Sequence, residues 1–265
     1  MTDTKGKKVM VALSGGIDSS AAAMLLKERG YHCRGVYMLT SGNHKHLLEH
    51  VRNVSDKLDI KLDVLDARED FEKVISYFCK EYENGRTPNP CVYCNRYIKF
   101  GKLAEFAQSC GMDYFATGHY AKIIKKGSDT GLYQSNDKEK DQSYALAMIN
   151  KEVLSKLVFP LGDYSKQQAR EIVTRLDMNL ENKLESQEIC FIPDDDYISF
   201  LEKHIPQLAE KGNIIDNKGN ILGEHNGTHR YTIGQRRGLG VAMGVPYYVT
   251  GIDPRSEERR VGKEC

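Results

Sequence analysis

The sequence predicts an α/β protein in which a doubly wound parallel sheet is followed by a small β domain. In the first half of the chain, short β-branched runs alternate with amphipathic helical patterns, which is typical of the crossover units of a parallel sheet. A Ser-Gly-Gly turn separates the first such run from an Ala-rich helix. From residue 206 onwards the chain is Gly-rich, with short alternating strands around an Asn-Lys-Gly turn.

The predicted elements of the sheet follow one another at short intervals. Strands are predicted at 7–13, 33–38 and 61–66, and helices at 19–30, 46–59 and 71–82. Asp18 or Ser19 is expected to cap the first helix, and Gly30 to end it.

The pattern continues after a loop at 83–91 that contains two prolines. A helix is predicted at 95–111 and a strand at 113–124, and the polar run after them indicates an exposed hairpin or loop. Helical patterns return in "DQSYALAMI", "SKQQAREIVTRLD" and "DDYISFLEKHI".

Composition sets the predicted domain boundaries. A chain of 265 residues has room for one large domain and one small one. Residues 1–205 are predicted to form the catalytic α/β domain and 206–254 the small β domain. Residues 255–265, "RSEERRVGKEC", are almost wholly polar without a strand period, so we expect a tail that is disordered or foreign to the natural protein.

Charge and hydropathy exclude some classes of protein. Lys and Arg number 38 against 37 Asp and Glu, for a formal net charge of +1. This balance argues against a globally basic coat for nucleic acid, although a local basic stripe is compatible with it. No apolar run has the length of a signal peptide core or a membrane span, so we expect no membrane partner and a cytoplasmic location.

The sequence has seven cysteines, and this odd number, without a secretory signal, argues against a disulfide framework. Six of them fall into two groups. Three of them lie in apolar patterns and are expected in the core: Cys33, Cys79 and Cys110. Three others lie in polar or Pro-rich loops, where reactive thiols are found: Cys91, Cys94 and Cys190.

The segment "LSGGIDSS", residues 13–20, predicts a phosphate site. Glycines at the end of a strand let the backbone turn and present consecutive N–H groups to an anion, and the following helix adds its positive N-terminus. The segment matches neither the Walker pattern nor the dinucleotide G-x-G-x-x-G.

This segment resembles the pyrophosphate loop of the N-type ATP pyrophosphatases, which split ATP into AMP and pyrophosphate to activate a substrate oxygen. The resemblance implies an adenine nucleotide alpha hydrolase-like fold, with ATP and Mg²⁺ as cofactors. Met38, at a strand end, would contact adenine, and an ordinary core residue is the alternative for it. Asp18 would help to hold Mg²⁺. The residues that would wrap the phosphates are Ala12, Leu13, Ser14, Gly15, Gly16, Ile17, Asp18 and Ser19.

Cys94 has the surroundings expected of a reactive thiol. It lies just before the helix predicted from residue 95, and Arg96 and Lys99 follow it. A thiol at a helix N-terminus beside cations is expected to be rich in thiolate. Gly118 and His119 follow another strand, at the sheet edge where ligands gather in open α/β folds.

Five ordered motifs between Val9 and Asp253 narrow the substrate: "TPNPCVYCN", "ATGHYA", "KDQSYAL", "ESQEICFIP" and "YTIGQRRGLG". Together they closely resemble tRNA-specific 2-thiouridylases, which replace the C2 oxygen of the wobble uridine with sulfur. The resemblance implies that Cys94 is the nucleophile and that Cys190 carries a persulfide. It also implies that tRNA and a persulfide-bearing sulfur-donor protein are partners.

The same resemblance assigns the remaining site residues. Gly118 would contact ATP. The target base would be bordered by Asn89, Pro90 and Cys91. The tRNA would be contacted by His119, Lys140, Asp141 and Gln142. For the last three, a charged loop in which Asp141 caps the next helix is the alternative.

Other interpretations remain open at this point. Cys91-x-x-Cys94 could be half of a zinc or iron–sulfur site, although no second C-x-x-C accompanies it. Cys91, Cys94 and Cys190 could hold a cluster with an open iron, as in tRNA thiolases that share the Ser-Gly-Gly loop. The same loop also serves enzymes that amidate or ligate small molecules, and a binding module without turnover is a further alternative.

Two departures from the family pattern are visible. Many members have Asp where this chain has Cys91, so Cys91 is not expected to be the nucleophile. Family members continue into a C-terminal β-barrel, whereas the resemblance here ends near Pro254. We therefore expect the barrel to be missing, tRNA binding to be weaker and ATP binding to be intact.

Overall fold

The computed structural model describes residues 5–41, 45–127, 129–177, 189–241, 246–253 and 258–262. The chain forms two compact units. The first comprises Met1–Glu72 and Cys91–Glu185, and the second comprises Lys73–Pro90 and Ser186–Cys265. In the described part of the chain, no helix is both long enough and apolar enough to cross a membrane.

The first unit contains a parallel sheet and a hairpin. Its strands are β1 (Lys8–Ala12), β2 (His32–Leu39), β3 (Lys61–Asp66), β4 (Tyr114–Ala116), β5 (Ala121–Lys126), β6 (Asp129–Gln134) and β7 (Leu157–Val158). Five of them form a parallel sheet in the order β3-β2-β1-β4-β7, while β5 and β6 pair with each other in antiparallel fashion. The predicted parallel sheet is confirmed.

The central strand shows why this sequence forms a sheet that is covered on both faces. Val9, Met10 and Val11 in β1 are all completely buried, whichever face of the sheet they are on. A continuous apolar run of this kind is typical of a parallel strand between two helical layers. The sheet therefore forms the centre of the first unit.

The helices of this part of the chain are α1 (Ile17–Glu28), α2 (Lys45–Lys57), α3 (Arg68–Glu83), α4 (Pro90–Cys94), α5 (Ala104–Ser109), α6 (Lys151–Leu154) and α7 (Lys166–Thr174), with a π-helical segment at Asn95–Leu103 between α4 and α5. Most of α3 belongs to the second unit, which includes Lys73–Pro90. Completely buried alanines, Ala21 to Ala23, belong to the core cluster of the first unit. Their small side chains let the backbone of α1 approach its neighbours, one of which is α7.

Three local predictions are wrong. The first helix begins at Ile17 with Gly16 as its N-cap and no side-chain cap, so neither Asp18 nor Ser19 caps it. The strand predicted at 113–124 is two strands, β4 and β5, in different sheets. The helix predicted from residue 95 begins at Pro90, because proline fits the first helical turn without loss of a hydrogen bond.

The second unit contains an aromatic cluster and a four-stranded sheet. Phe78 is completely buried, and the rings of Phe191 and Phe200 lie 5.5 and 6.2 Å from it. Phe200 belongs to α8 (Tyr197–His204). The sheet has the order β10-β11-β8-β9, with β8 at Lys211–Asp216, β9 at Ile221–Asn226, β10 at Tyr248–Asp253 and β11 at Glu258–Gly262.

The second unit includes residues 73–90 and 186–205 as well as the segment of the predicted β domain, because Phe78 and Leu201 share one apolar cluster. Residues 255–265 are predicted to lack regular structure, whereas 258–262 form β11, which runs parallel to β8 and antiparallel to β10. Val261 in β11 is completely buried with Ile214 and Val249, which accounts for the strand.

Candidate active site

The candidate site lies in the first unit, at the carboxyl ends of β1 and β4. The chain leaves β1 towards β2 on one side, and leaves β4 towards β7 on the other. This reversal of strand order opens a crevice, which is where ligands bind in open α/β sheets. A pocket is present there.

The pocket is lined by most of the residues predicted to bind the nucleotide and by some of those predicted to contact tRNA. The predicted residues that line it are Ala12, Leu13, Ser14, Asp18, Ser19, Met38, Gly118, His119 and Gln142. Residues that were not predicted also line it: Val36, Tyr37, Lys99, Leu103 and Thr117. Ile17 is not among the lining residues and instead lies in the core, where 5% of it is exposed.

The turn after β1 is held in shape by its own hydroxyl groups and by α2. Ser14 N–H donates to Ser19 Oγ at 3.2 Å, and Ser20 Oγ donates to the carbonyl of Gly16 at 2.8 Å. Gly15 has φ +74°, and a Cβ there would lie 2.6 Å from the His50 ring. His50 Nε2 lies 2.8 Å from the carbonyl oxygen of Gly15. Position 15 therefore favours glycine, because its backbone is in the left-handed region and because a Cβ there would collide with the His50 ring.

The turn after β4 touches the first turn of α1. A Cβ on Gly118 would lie 2.6 Å from the carbonyl carbon of Asp18 and 2.8 Å from the amide nitrogen of Ser19. Real Cβ atoms do not approach backbone that closely, so the two backbones can meet only because residue 118 is glycine. This contact brings the ends of β1 and β4 together around the pocket.

Asp18 is held by a cation. Lys166 Nζ lies 2.7 and 2.9 Å from its two carboxylate oxygens, and Tyr120 Oη donates to Oδ1 at 2.8 Å. Because both oxygens of Asp18 already bind an ammonium group, Mg²⁺ would compete with Lys166 for them. Within the residues that the structure describes, no group of three or more His, Cys, Asp or Glu side chains could hold a metal. As arranged, the residues do not form a metal site.

His119 lies in the pocket wall and is neutral. Its Nδ1 is 2.7 Å from Thr117 Oγ1, and its ring packs near Phe100 and Phe159. Burial, followed by the nearby charge of Lys99, holds the pKa of His119 well below its usual value of 6.5. The ring can exchange hydrogen bonds at neutral pH, but it brings no positive charge to a ligand.

The segment 140–142 lies at the end of the loop that follows β6, just before a short 3₁₀ helix at Ser143–Leu146. Asp141 accepts hydrogen bonds from Ser135 N–H and from the Ser143 hydroxyl, at 2.8 and 2.6 Å. Gln142 Oε1 accepts from Tyr120 N–H at 3.0 Å. Asp141 therefore stabilises the turn through the Ser143 hydroxyl, and the short 3₁₀ helix after it has no side-chain cap on its backbone N–H groups. Lys140 is half-buried beside it.

Cys94 ends the α-helical turn that begins at Pro90, so its predicted position in front of a helix N-terminus is wrong. Only 7% of Cys94 is exposed, whereas Cys91 in the same turn is exposed. The next residue, Asn95, is buried and donates from Nδ2 to the carbonyl of Ala145 at 3.0 Å. This bond anchors the helix immediately after the thiol. Asn89 lies just before α4.

Cys190 lies in the second unit and is exposed. Its neighbours Ile189 and Phe191 pack against the aromatic cluster around Phe78, which fixes the backbone on either side of the thiol. Residues 185–188 of the same motif lie outside the described part of the chain.

The other described cysteines are half-buried. Burial raises the pKa of Cys33 to about 11, and it also raises the pKa of Cys79. These thiols remain protonated at neutral pH. Cys110 follows α5.

Sequence reasoning missed three residues that shape the site. Lys166 occupies the first position of α7, after a capping box between Ser165 and Gln168, and nothing in "YSKQQAR" distinguishes it from a solvated helix lysine. Tyr120 and His50 act through contacts between elements far apart in the chain. Only the fold brings these side chains to the phosphate loop.

A Ser-Gly-Gly turn at the switch point of a parallel sheet, with a pocket beside it, defines a protein of the ATP pyrophosphatase class. The comparisons with known proteins are more specific. A family model described as tRNA methyl transferase HUP domain matches residues 7–194, and one described as tRNA methyl transferase PRC-barrel domain matches residues 198–263.

The chain aligns with curated relatives over nearly its whole length. It is 46% identical to the tRNA-specific 2-thiouridylase MnmA of Carboxydothermus hydrogenoformans over 273 residues, covering 97% of this chain and 75% of the relative. It is 45% identical to the tRNA-specific 2-thiouridylase MnmA of Clostridium botulinum over 271 residues, with the same coverage. The chain belongs to the tRNA-specific 2-thiouridylase family. The solved structure of NMN synthetase from Francisella tularensis has a TM-score of 0.44 at 17% identity, covering 74% of this chain and 73% of that one.

Proposed function

We propose that this protein is an ATP-dependent tRNA-uridine 2-sulfurtransferase that converts the wobble uridine to 2-thiouridine. The observation that carries the proposal is the pocket at β1 and β4. It combines the Ser-Gly-Gly loop, Met38 and Gly118, and the helical stretch that supplies Lys99 and Leu103 to its wall begins with the turn that contains Cys94.

The first step activates a poor leaving group. The C2 oxygen of uridine attacks the α-phosphorus of ATP, the bond from that phosphorus to the β-phosphate oxygen breaks, and pyrophosphate leaves. Backbone N–H groups of residues 14–19 and the N-terminus of α1 bind the departing pyrophosphate. The uridine is then an O-adenylated derivative whose C2 is electrophilic.

The second step delivers sulfur. Cys190 receives sulfane sulfur from a donor protein and holds it as a persulfide. Cys94 either attacks the persulfide and releases hydrosulfide, or attacks Cys190 after the terminal sulfur has added to C2. The C2–O bond breaks and AMP leaves with the former carbonyl oxygen. Both routes leave a disulfide between Cys94 and Cys190, which a thiol reductant opens.

The remaining assignments complete the proposal. Asn89, Pro90 and Cys91 border the target base, and tRNA contacts His119, Lys140, Asp141 and Gln142. His119 serves as a neutral hydrogen-bonding group. Mg²⁺ would enter with the phosphates of ATP and would contact Asp18 only by displacing Lys166 from it, and no step above is routed through it. A cytoplasmic location is part of the same proposal.

Product analysis tests the proposal. The protein is incubated with unmodified tRNA, ATP, Mg²⁺ and a sulfide source, and the digested nucleosides are separated by mass. We expect 2-thiouridine, no methylated uridine, and one AMP formed for each thiouridine. Product without ATP, or AMP formation that tRNA does not stimulate, would contradict the proposal.

Cysteine variants assign the two thiols. Cys94→Ser is expected to abolish product with any sulfur source. Cys190→Ser is expected to abolish it with a persulfide-bearing protein and to retain some product with free sulfide. Cys110→Ser, which alters a half-buried thiol outside the pocket, is the matched control and should keep full activity. A Cys190→Ser variant that is fully active with the persulfide donor would contradict the sulfur-transfer route.

A further inference from the structure

Lys99 is a half-buried cation in the pocket wall. It lies on the π-helical segment, and it lines the pocket together with Leu103 and the turn after β4. Among the described residues, its ammonium group has no hydrogen-bond acceptor and no ion-pair partner. A pocket-lining cation without a counter-charge is complementary to an anionic ligand, so a ligand that binds beside it is expected to supply a negative charge.

The neighbouring cations differ from Lys99 in this respect. Lys102, on the same segment, forms an ion pair with Asp70 and donates to the carbonyl of Asp66 at 3.2 Å. Lys166 is bound to Asp18. Lys99 is thus a pocket-lining lysine whose charge no carboxylate in the described part of the chain balances.

The position of Lys99 indicates which part of a nucleotide it meets. The phosphate loop lies at the end of β1, and Met38, which lines the same pocket, lies near the end of the neighbouring strand β2. Lys99 belongs to a third wall. Because a π-helix bonds residue i to residue i+5, residue 99 lies one turn beyond Cys94 on the same side of the helix. Because adenosine is expected at Met38 and pyrophosphate at the loop after β1, a cation elsewhere in the lining of the same pocket is left for the α-phosphate that joins them.

We propose that Lys99 binds the α-phosphate of the nucleotide and stays on it throughout the reaction. This inference rests on the proposed function and adds a catalytic residue to it. In the first step, Lys99 stabilises the charge that develops on the non-bridging oxygens as the bond to pyrophosphate breaks. In the second step, the same ammonium group stabilises AMP as it departs from C2 with its oxygen. No proton transfer is required of Lys99, since both leaving groups depart as anions.

Binding measurements test the contact independently of turnover. The affinities of AMP and adenosine are measured by calorimetry for the unaltered protein, Lys99→Met and Lys102→Met. A charged hydrogen bond to phosphate predicts that the preference for AMP over adenosine falls about tenfold in Lys99→Met, with adenosine binding unchanged. Lys102→Met should keep the preference. If Lys99→Met also keeps it, or if the unaltered protein does not prefer AMP, the assignment is wrong.

Kinetics test the catalytic role. At saturating ATP and tRNA, pyrophosphate release by Lys99→Met is expected to slow about 100-fold, more than the loss of ATP affinity, because the contact strengthens as charge develops. Lys99→Arg should restore part of the rate, since it restores the charge. If the rate of pyrophosphate release and the affinity for ATP fall by the same factor, Lys99 only binds the nucleotide, and its proposed catalytic role is wrong. If the unaltered protein makes no 2-thiouridine, the proposed function fails, while the AMP comparison still decides on Lys99.

Discussion

The ammonium nitrogen of Lys166 lies 2.7 Å from Oδ1 and 2.9 Å from Oδ2 of Asp18, although 148 positions separate the two residues in the chain. The pair joins the first position of α7 to the first turn of α1. It therefore places a positive charge next to a carboxylate that would otherwise face the phosphates of ATP without compensation. Lys166 is the more buried member, with 13% of its side chain exposed against 37% for Asp18.

Removal of Lys166 is expected to weaken ATP binding. In Lys166→Met, the carboxylate of Asp18 would repel the triphosphate, so the dissociation constant of ATP should rise by about tenfold to a hundredfold. Calorimetric titration with a non-hydrolysable ATP analogue measures this change. The double variant Asp18→Asn/Lys166→Met should recover part of the affinity, because the uncompensated charge is gone.

A second lysine provides the control for this prediction. Lys151 forms an ion pair with Asp129, and both side chains are largely exposed. Lys151→Met should leave the dissociation constant unchanged, since exposed pairs contribute little and this one lies outside the pocket. Equal losses in the Lys151 and Lys166 variants would show a general effect of charge and not a specific one.

Gly118→Ala is expected to weaken ATP binding strongly while the protein stays folded. The new methyl group would need space that the backbone of Asp18 and Ser19 occupies, so the ends of β1 and β4 must move apart. We expect ATP affinity to fall at least tenfold and the far-ultraviolet circular dichroism spectrum to be retained. A variant that binds ATP normally would mean that the turn after β4 relaxes without changing the pocket.

Three strands of the parallel sheet were predictable because composition alone marks them. The strand predicted at 61–66 matches β3, and the predictions for β1 and β2 differ by one residue at each end, whereas the two-residue strand β7 was not predicted. Buried parallel strands are continuous apolar runs, and Gly30 and the Ser-Gly-Gly turn delimit them. The phosphate loop was predictable for the same reason, since it depends on sequence-local residues.

Features that depend on tertiary contacts could not be read from the sequence. The π-helical segment has the residue composition of an ordinary amphipathic α-helix, so the sequence contains no local pattern that distinguishes a π-helix from an α-helix there. The division of the predicted strand at 113–124 depends on Gly118, which must contact α1. Lys166 and His50 become part of the site only when α7 and α2 pack beside the loop. The roles of individual site residues remain predictions.

Thiol reactivity is expected to follow exposure and pKa. Cys91 and Cys190 are exposed, whereas burial raises the pKa of Cys33 to about 11, which leaves about one thiol in a thousand ionised at pH 8. A short pulse of iodoacetamide at pH 8, followed by peptide mass spectrometry, should label Cys91 and Cys190 first and Cys33 and Cys79 last. Denatured protein, in which all four should react alike, is the control. Rapid labelling of Cys33 in the folded protein would contradict its burial.

His119 is expected to make stability depend on pH. Burial and the charge of Lys99 lower its pKa in the folded protein, so between the lowered value and about 6.5 the unfolded chain binds a proton that the folded chain does not. The stabilisation by the neutral ring is present above about pH 6.5 and is lost as the pH falls towards the folded value. The free energy of unfolding should thus decrease on acidification, by up to about 1.4 kcal/mol per pH unit for this one group.

The variant His119→Gln isolates that contribution. Glutamine can replace the hydrogen bond to Thr117 but cannot take up a proton, so its unfolding free energy should depend less steeply on pH below about 6.5. His229, whose pKa burial also lowers, is present in both proteins and cancels in the comparison. Urea unfolding at several pH values between about 5 and 8 gives the two slopes. Parallel slopes would mean that His119 binds protons equally in the folded and unfolded states, which would contradict the lowered pKa that its burial and the charge of Lys99 produce.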